Sequence, residues 1–228
     1  MNSQSTKQST SNHKAVILLS GGLDSSTVLY YAKANGYETH CLIFDYGQRH
    51  RKEILAAKKI AKLSKSPFHV VRIGLPWKGS ALLDSTINMP VQGKMNVKDI
   101  PVTYVPARNI IFLSFAASFA EAIVAKHVFI GANAVDYSGY PDCRPAFIKS
   151  FQSMLAQGLK TGVEGKKIKV ETPLIHLSKA KIIQLAAKLN VPLSMTWSCY
   201  QGKQKPCGVC DSCRLREQGF IDAGIVNR

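Results

Sequence analysis

Short β-branched runs alternate with longer amphipathic stretches along most of this chain. That alternation restricts the fold more than any other feature. Lys14 to Ser20 (KAVILLS) reads as a buried strand, and Thr39 to Tyr46 and Phe68 to Ile73 follow as second and third strands. His127 to Gly131 is a fourth, and Lys167 to Thr172 a fifth. Between them, Asp24 to Asn35, His50 to Leu63, Ala107 to Ala125 and Pro145 to Gly158 carry helical spacing, and Leu177 to Leu189 reads as the last helix. Strands separated by helices of about ten or more residues imply βαβ units and a parallel sheet. Such sheets bind ligands outside the carboxyl ends of their strands. The informative residues should therefore follow the strands.

The remaining segments set the expected boundaries. Residues 1–13 form a polar tail without the apolar core of a signal peptide, expected to be disordered. Residues 14–195 are expected to form the α/β domain, and 196–228 a C-terminal metal-binding segment. Gly74 to Thr103 is irregular, contains three prolines, and reads as an insertion that could act as a lid. Ile110 to Val128 is apolar but interrupted by Ser114, Ser118, Glu121 and Lys126, so no membrane span and no membrane partner are expected. The expected location is the cytoplasm, where disulfides are rare. Thirty Lys and Arg against fourteen Asp and Glu give a formal net charge of +16. Charge of that size is a common footprint of nucleic-acid binding. Yet Lys52, Lys58, Lys59 and Lys62 fall on the solvent side of one helix. A protein that binds small anions also gains from a positive field.

Ser20-Gly21-Gly22-Leu23-Asp24-Ser25-Ser26 joins the first strand to the first helix. Paired glycines let the backbone approach a ligand, and a helix N-terminus offers free N–H groups and partial positive charge. The plain alternative is a tight turn capped by Asp24 or Ser25. Near the end, Cys199, Cys207, Cys210 and Cys213 put four thiols within fifteen residues. Overlapping C-x₂-C spacings suit a tetrahedral zinc site with a closed, hence structural, shell. An iron–sulfur cluster is the competing reading. Zinc is preferred because no second redox element is visible.

The Ser20–Ser26 string resembles the SGGxDS loop of the PP-loop ATP pyrophosphatases. The resemblance implies an adenine nucleotide alpha-hydrolase-like fold, a Rossmann-like parallel sheet of about five strands with helices on both faces plus a small C-terminal zinc-binding subdomain. It implies ATP as cosubstrate, held by Leu19, Ser20, Gly21, Gly22, Leu23, Asp24, Ser25, Ser26, Thr27, Val28 and Leu29. Three further strings narrow the likeness: Asp45-Tyr46-Gly47-Gln48-Arg49-His50, Tyr104-Val105-Pro106-Ala107-Arg108-Asn109, and Asp136 through Arg144. With Ser198-Cys199-Tyr200 and the cysteine cluster, they resemble the 7-cyano-7-deazaguanine synthase family of the queuosine pathway.

That likeness implies conversion of 7-carboxy-7-deazaguanine and ammonia to a nitrile, driven by ATP. It implies one zinc per chain, a homodimer and no direct nucleic-acid partner. Asp24, Arg108, Asp142 and Arg144 are the expected catalytic residues. Asp24 is read either as a Mg²⁺ ligand or as a helix cap, and Arg108 as a contact to phosphate or substrate carboxylate. Asp136, Tyr137 and Tyr140 are the expected contacts to the flat deazaguanine. Cys143 reads as a packed small residue before a nucleophile, and His50 as a surface histidine before a base. The rival reading is a PP-loop enzyme acting directly on tRNA, by thiolation or base modification. Thiolation needs a free cysteine outside the cluster, which leaves Cys41 and Cys143.

Overall fold

The computed structural model describes residues 13–89, 100–133 and 139–226. Strands β1 (His13–Leu18), β2 (Tyr37–Asp45), β3 (Phe68–Arg72), β4 (His127–Phe129) and β5 (Lys169–Glu171) form one sheet in the order β3-β2-β1-β4-β5. All pairings are parallel, with Ile17 opposite Cys41 on one side and Phe129 on the other. The strand order reverses direction at β1, between β2 and β4, which is where a ligand crevice is expected.

The sheet is covered on both faces, and β1 shows why its run is continuously apolar. Successive side chains point to opposite faces. Val16 and Leu18 join one core with α3 (Arg108–Ala122) and α4 (Pro145–Gly158). Ala15, Ile17 and Leu19 join the other with α1 (Leu23–Ala34), α2 (Lys52–Leu63), α6 (Lys179–Lys188) and Phe220 of α7 (Asp211–Ala223). A single turn, α5 (Lys160–Val163), follows α4. Cys41 sits fully buried in the second core, and burial pushes its thiol up to about 12, so it is inert.

Two expectations need correction. Leu177 to Leu189 is not the last helix, because α7 follows the cysteine cluster and carries Cys213. Its signals are in the sequence: Asp211 stands in the first turn, and Gly224 ends it in the left-handed region at φ 67°. The first strand also begins at His13, the last residue of the expected tail. Otherwise the elements stand where the periodicity places them, with ends shifted by a few residues. No helix among the described residues is long and apolar enough to cross a membrane.

Candidate active site

A cleft of about 360 Å³ opens at the carboxyl ends of β1, β2 and β4. Its floor is the loop after β1. Gly21 adopts φ 83°, and a Cβ there would lie 2.3 Å from the Glu53 carbonyl oxygen and 2.5 Å from the Ala57 nitrogen. The loop can therefore rest directly on α2. On the far side, a Cβ at Gly131 would lie 2.9 Å from the Ser25 nitrogen, so the end of β4 abuts the start of α1. Helix α1 begins at Gly22 with no side-chain cap. Its first-turn N–H groups have no intrahelical acceptor, which suits an anion.

The expected nucleotide stretch divides by helical geometry. Leu19, Ser20, Gly22, Leu23, Asp24 and Ser25 line the cleft. Ser26, Thr27, Val28 and Leu29 turn into the core and are fully buried. The hydroxyls of Ser26 and Thr27 donate to the carbonyls of Gly22 (2.7 Å) and Leu23 (2.8 Å). These four residues therefore support the loop from beneath. The Ser20 and Ser25 hydroxyls meet at 2.9 Å at the cleft floor. Asp24 neither caps the helix nor stands free: both its carboxylate oxygens accept from Lys179 Nζ at 2.8 Å. Lys179 opens α6 and carries no motif that marks it in the sequence.

Arg108 projects from the start of α3 into the same cleft. Ala107 before it holds a left-handed φ of 56°, a strained choice for a residue with a side chain. Burial opposes the guanidinium charge, but Tyr46, Tyr140, Cys143 and Asp142 around it favour the charged form, so Arg108 stays protonated. Asp142 is 4% exposed and plays a structural part. Its carboxylate accepts the Asn109 main-chain N–H at 3.0 Å and the Asn109 amide at 3.4 Å, tying down the first turn of α3. Asp142→Ala is expected to cost about 1–2 kcal/mol of unfolding free energy. Asp142→Asn, which keeps an acceptor, should cost less than half of that in urea titrations. Equal damage from both variants would show that the carboxylate's charge, and not an acceptor oxygen alone, holds the start of α3.

The other expected residues separate. Tyr140 lines the cleft and shares a 2.8 Å hydrogen bond with the Thr103 hydroxyl. Arg144 is exposed at the start of α4 and does not line the cleft. Asp136 and Tyr137 lie outside the described residues. Cys143 lines the cleft, accepts from the Asn109 amide at 3.2 Å, and has its thiol pushed up to about 11 by burial and by Asp142. It is a protonated thiol at neutral pH, not a ready nucleophile. His50 also lines the cleft, edge-on to Trp197, with Nδ1 buried and without a hydrogen-bond partner among the described residues. Burial favours its neutral form.

Glu53, Lys179 and Trp197 carry no motif that marks them in the sequence, and Arg216 reads there only as a cation beside the cysteine cluster, yet all four line the cleft. Trp197 donates its main-chain N–H to the Gly21 carbonyl at 2.9 Å, and its indole N–H to the Cys199 carbonyl at 2.8 Å. Arg216 reaches from α7 to the Thr196 hydroxyl at 2.7 Å and the Leu193 carbonyl at 2.9 Å. The C-terminal segment is thus one wall of the cleft. Ser198 and Tyr200, on either side of Cys199, both line it.

Behind that wall, the sulfurs of Cys199, Cys207, Cys210 and Cys213 lie within 4.8 Å of one another, close enough to share one metal ion. Main-chain N–H groups of Gln201 and Cys207 point at Cys199 Sγ, at 3.4 and 3.3 Å, and that of Cys210 at Cys207 Sγ, at 3.4 Å. Such donors stabilise thiolates and suit a metal shell. Burial and the neighbouring Cys210 and Cys199 push the Cys213 thiol up, a repulsion that a divalent cation relieves.

Two solved structures share the architecture. NMN synthetase from Francisella tularensis has a TM-score of 0.51 at 17% identity, covering 94% of this chain and 78% of that one. A 4-thiouridine synthetase in complex with RNA and ATP has a TM-score of 0.50 at 17% identity, covering 93% of this chain and 50% of that one. At that identity they speak for the fold alone. Relatives named 7-cyano-7-deazaguanine synthase are far nearer. The protein from Nostoc punctiforme is 56% identical over 94% of this chain and 97% of its own length. That from Acetivibrio thermocellus is 57% identical over 94% and 96%. That from Thermoplasma volcanium is 50% identical over 94% and 89%. Residues 14–224 match the family described as queuosine biosynthesis protein QueC, and to that family the chain belongs.

Proposed function

We propose that this protein is an ATP-dependent carbon–nitrogen ligase that converts 7-carboxy-7-deazaguanine and ammonia to 7-cyano-7-deazaguanine, a step toward the queuosine nucleoside of tRNA. The observation that carries this reading is one cleft joining the anion loop at Ser20–Ser25 to Arg108 and Tyr140, in a chain more than half identical to synthases of that name. The chemistry requires such a pairing. Oxide is a poor leaving group from a carboxylate, so its oxygen must first be joined to phosphorus. The loop holds the pyrophosphate end of ATP, and Arg108 draws the substrate carboxylate toward the α-phosphorus. Ammonia then gives the amide, and a second activation removes the remaining oxygen.

Mg²⁺ would lower the negative charge of the triphosphate. Asp24 is the loop carboxylate suited to hold it, and Lys179, now paired with Asp24, would then neutralise phosphate oxygens. Tyr140 offers a ring to stack on the deazaguanine. The four cysteines hold zinc in a closed structural shell. The enzyme works in the cytoplasm as a homodimer, on small molecules and without direct contact to tRNA. A persulfide route on tRNA is disfavoured because Cys41 and Cys143 are buried, with thiols pushed up to about 12 and about 11.

Purified protein incubated with 7-carboxy-7-deazaguanine, ATP, Mg²⁺ and ammonium is expected to yield the nitrile by mass spectrometry, with no need for tRNA. Absence of nitrile from folded, metal-loaded protein, or a strict requirement for tRNA, would overturn the assignment.

A further inference from the structure

We propose that Glu53 is the proton acceptor for the amination and dehydration steps, an inference that rests on the reaction proposed above. Glu53 stands in the first turn of α2, where its main chain abuts Gly21 of the anion loop. Its residue lines the same cleft as Ser20, Arg108 and Tyr140. Arg108 of α3, Tyr46 after β2 and Tyr200 of the C-terminal wall line that cleft with it. Elsewhere in the cleft, Asp24 and Lys179 neutralise each other, and burial favours neutral His50. Asp142, by contrast, is outside the cleft lining and accepts the Asn109 main-chain N–H.

Burial raises the Glu53 carboxyl to about 7, with Arg108 pulling the other way. A group that titrates there can take a proton and return it to solvent within each turnover. The reaction has protons to remove. Ammonia attacks the activated acyl carbon, the C–N bond forms, the C–O bond to the α-phosphate breaks, AMP departs with the electron pair, and nitrogen gives one proton to Glu53. The amide oxygen then displaces pyrophosphate from a second ATP as nitrogen loses a second proton. Loss of the second AMP and of the last N–H proton leaves the nitrile. No oxidant or reductant is needed. Activation of the starting carboxylate, by contrast, releases no proton to a base.

That asymmetry provides the test. In Glu53→Gln, ATP–pyrophosphate exchange supported by 7-carboxy-7-deazaguanine alone is expected to stay within about threefold of the parent. Conversion of either the acid or its carboxamide to the nitrile is expected to fall by roughly 100-fold, the usual range for a lost acid–base group. Glu53→Asp should recover part of the rate with a shifted acidic limb in its pH profile.

Stability gives a second readout. A carboxyl whose folded-state pKa lies above its unfolded value loses its contribution as pH rises through about 7. Glu53→Gln should therefore melt at a higher temperature than the parent at pH 8, and the two should converge only below about pH 4.5, the ordinary carboxyl value. Nitrile formation at the parental rate in Glu53→Gln would overturn the proposal. So would equal loss of exchange and nitrile formation, which would place Glu53 in the activation step. Failure of the parent itself to exchange or to make nitrile would instead count against the reaction assigned above.

Discussion

Gly21→Ala is expected to abolish ATP-dependent turnover and to remove several kcal/mol of stability. Two effects add. Gly21 holds φ 83°, a region that costs an L-residue roughly 1–2 kcal/mol. The new methyl would also sit 2.3 Å from the Glu53 carbonyl oxygen and 2.5 Å from the Ala57 nitrogen, both main-chain atoms of α2. No rotamer relieves an overlap with backbone. Either α2 shifts or the loop lifts off it, at about 1–3 kcal/mol for overpacking. The sum, roughly 2–5 kcal/mol, is a large part of the 5–15 kcal/mol that typical domains possess. Lifting the loop also breaks the Trp197 N–H to Gly21 carbonyl bond, and so disturbs the opposite wall. Gly36→Ala is the matched control, because Gly36 has a similar φ of 81° with nothing within 4 Å of its missing Cβ. Urea unfolding should place Gly21→Ala well below Gly36→Ala, and ATP binding should survive only in the latter. Equal stability of the two variants would show that the loop does not rest on α2.

The part of this architecture that depends on local pattern was readable from the chain. The KAVILLS run had to be a buried central strand because every residue from Ala15 to Leu18 serves one core or the other. The Ser20–Ser26 string declared a strand-to-helix junction, and the cysteine spacing declared a cluster. What the sequence did not disclose depends on distance along the chain. Lys179 lies 155 residues from Asp24, and nothing near it signals that pairing. Glu53 reads as an ordinary first-turn carboxylate of a lysine-rich helix; only the fold places it in one cleft with Arg108. Asp142 reads in its string as a catalytic residue, and its hold on the start of α3 is not legible there, because its partner Asn109 lies 33 residues earlier. Helical phase also escaped the motif reading. Val28 and Leu29 belong to the loop's string but point into the core, as a period of 3.6 residues requires.

Metal removal is expected to be the other large effect, and to reach beyond the C-terminal segment. Cys210 is fully buried at the start of α7, and Cys213 lies in that helix, so the cluster fixes where α7 begins. The same segment carries Trp197, Ser198 and Tyr200 into the cleft and anchors on Gly21. Zinc sites of this kind contribute folding energy directly, on the order of 10 kcal/mol in isolated modules. With zinc bound as proposed, part of that contribution would hold the wall against the anion loop. Cys210→Ser is expected to reduce bound zinc from about one per chain to below a tenth, and chelation of the parent should do the same. Tryptophan fluorescence should shift as Trp197 loses its bonds to Gly21 and Cys199, and ATP affinity should fall by about tenfold or more, the scale of one lost charge-assisted contact. Cys41→Ser, which alters a core thiol remote from the cluster, should keep its zinc and its ATP affinity while losing some stability. Iron in place of zinc on elemental analysis would overturn the metal assignment. Unchanged ATP affinity in metal-free but folded protein would show that the wall stands without the ion, leaving it to stabilise α7 alone.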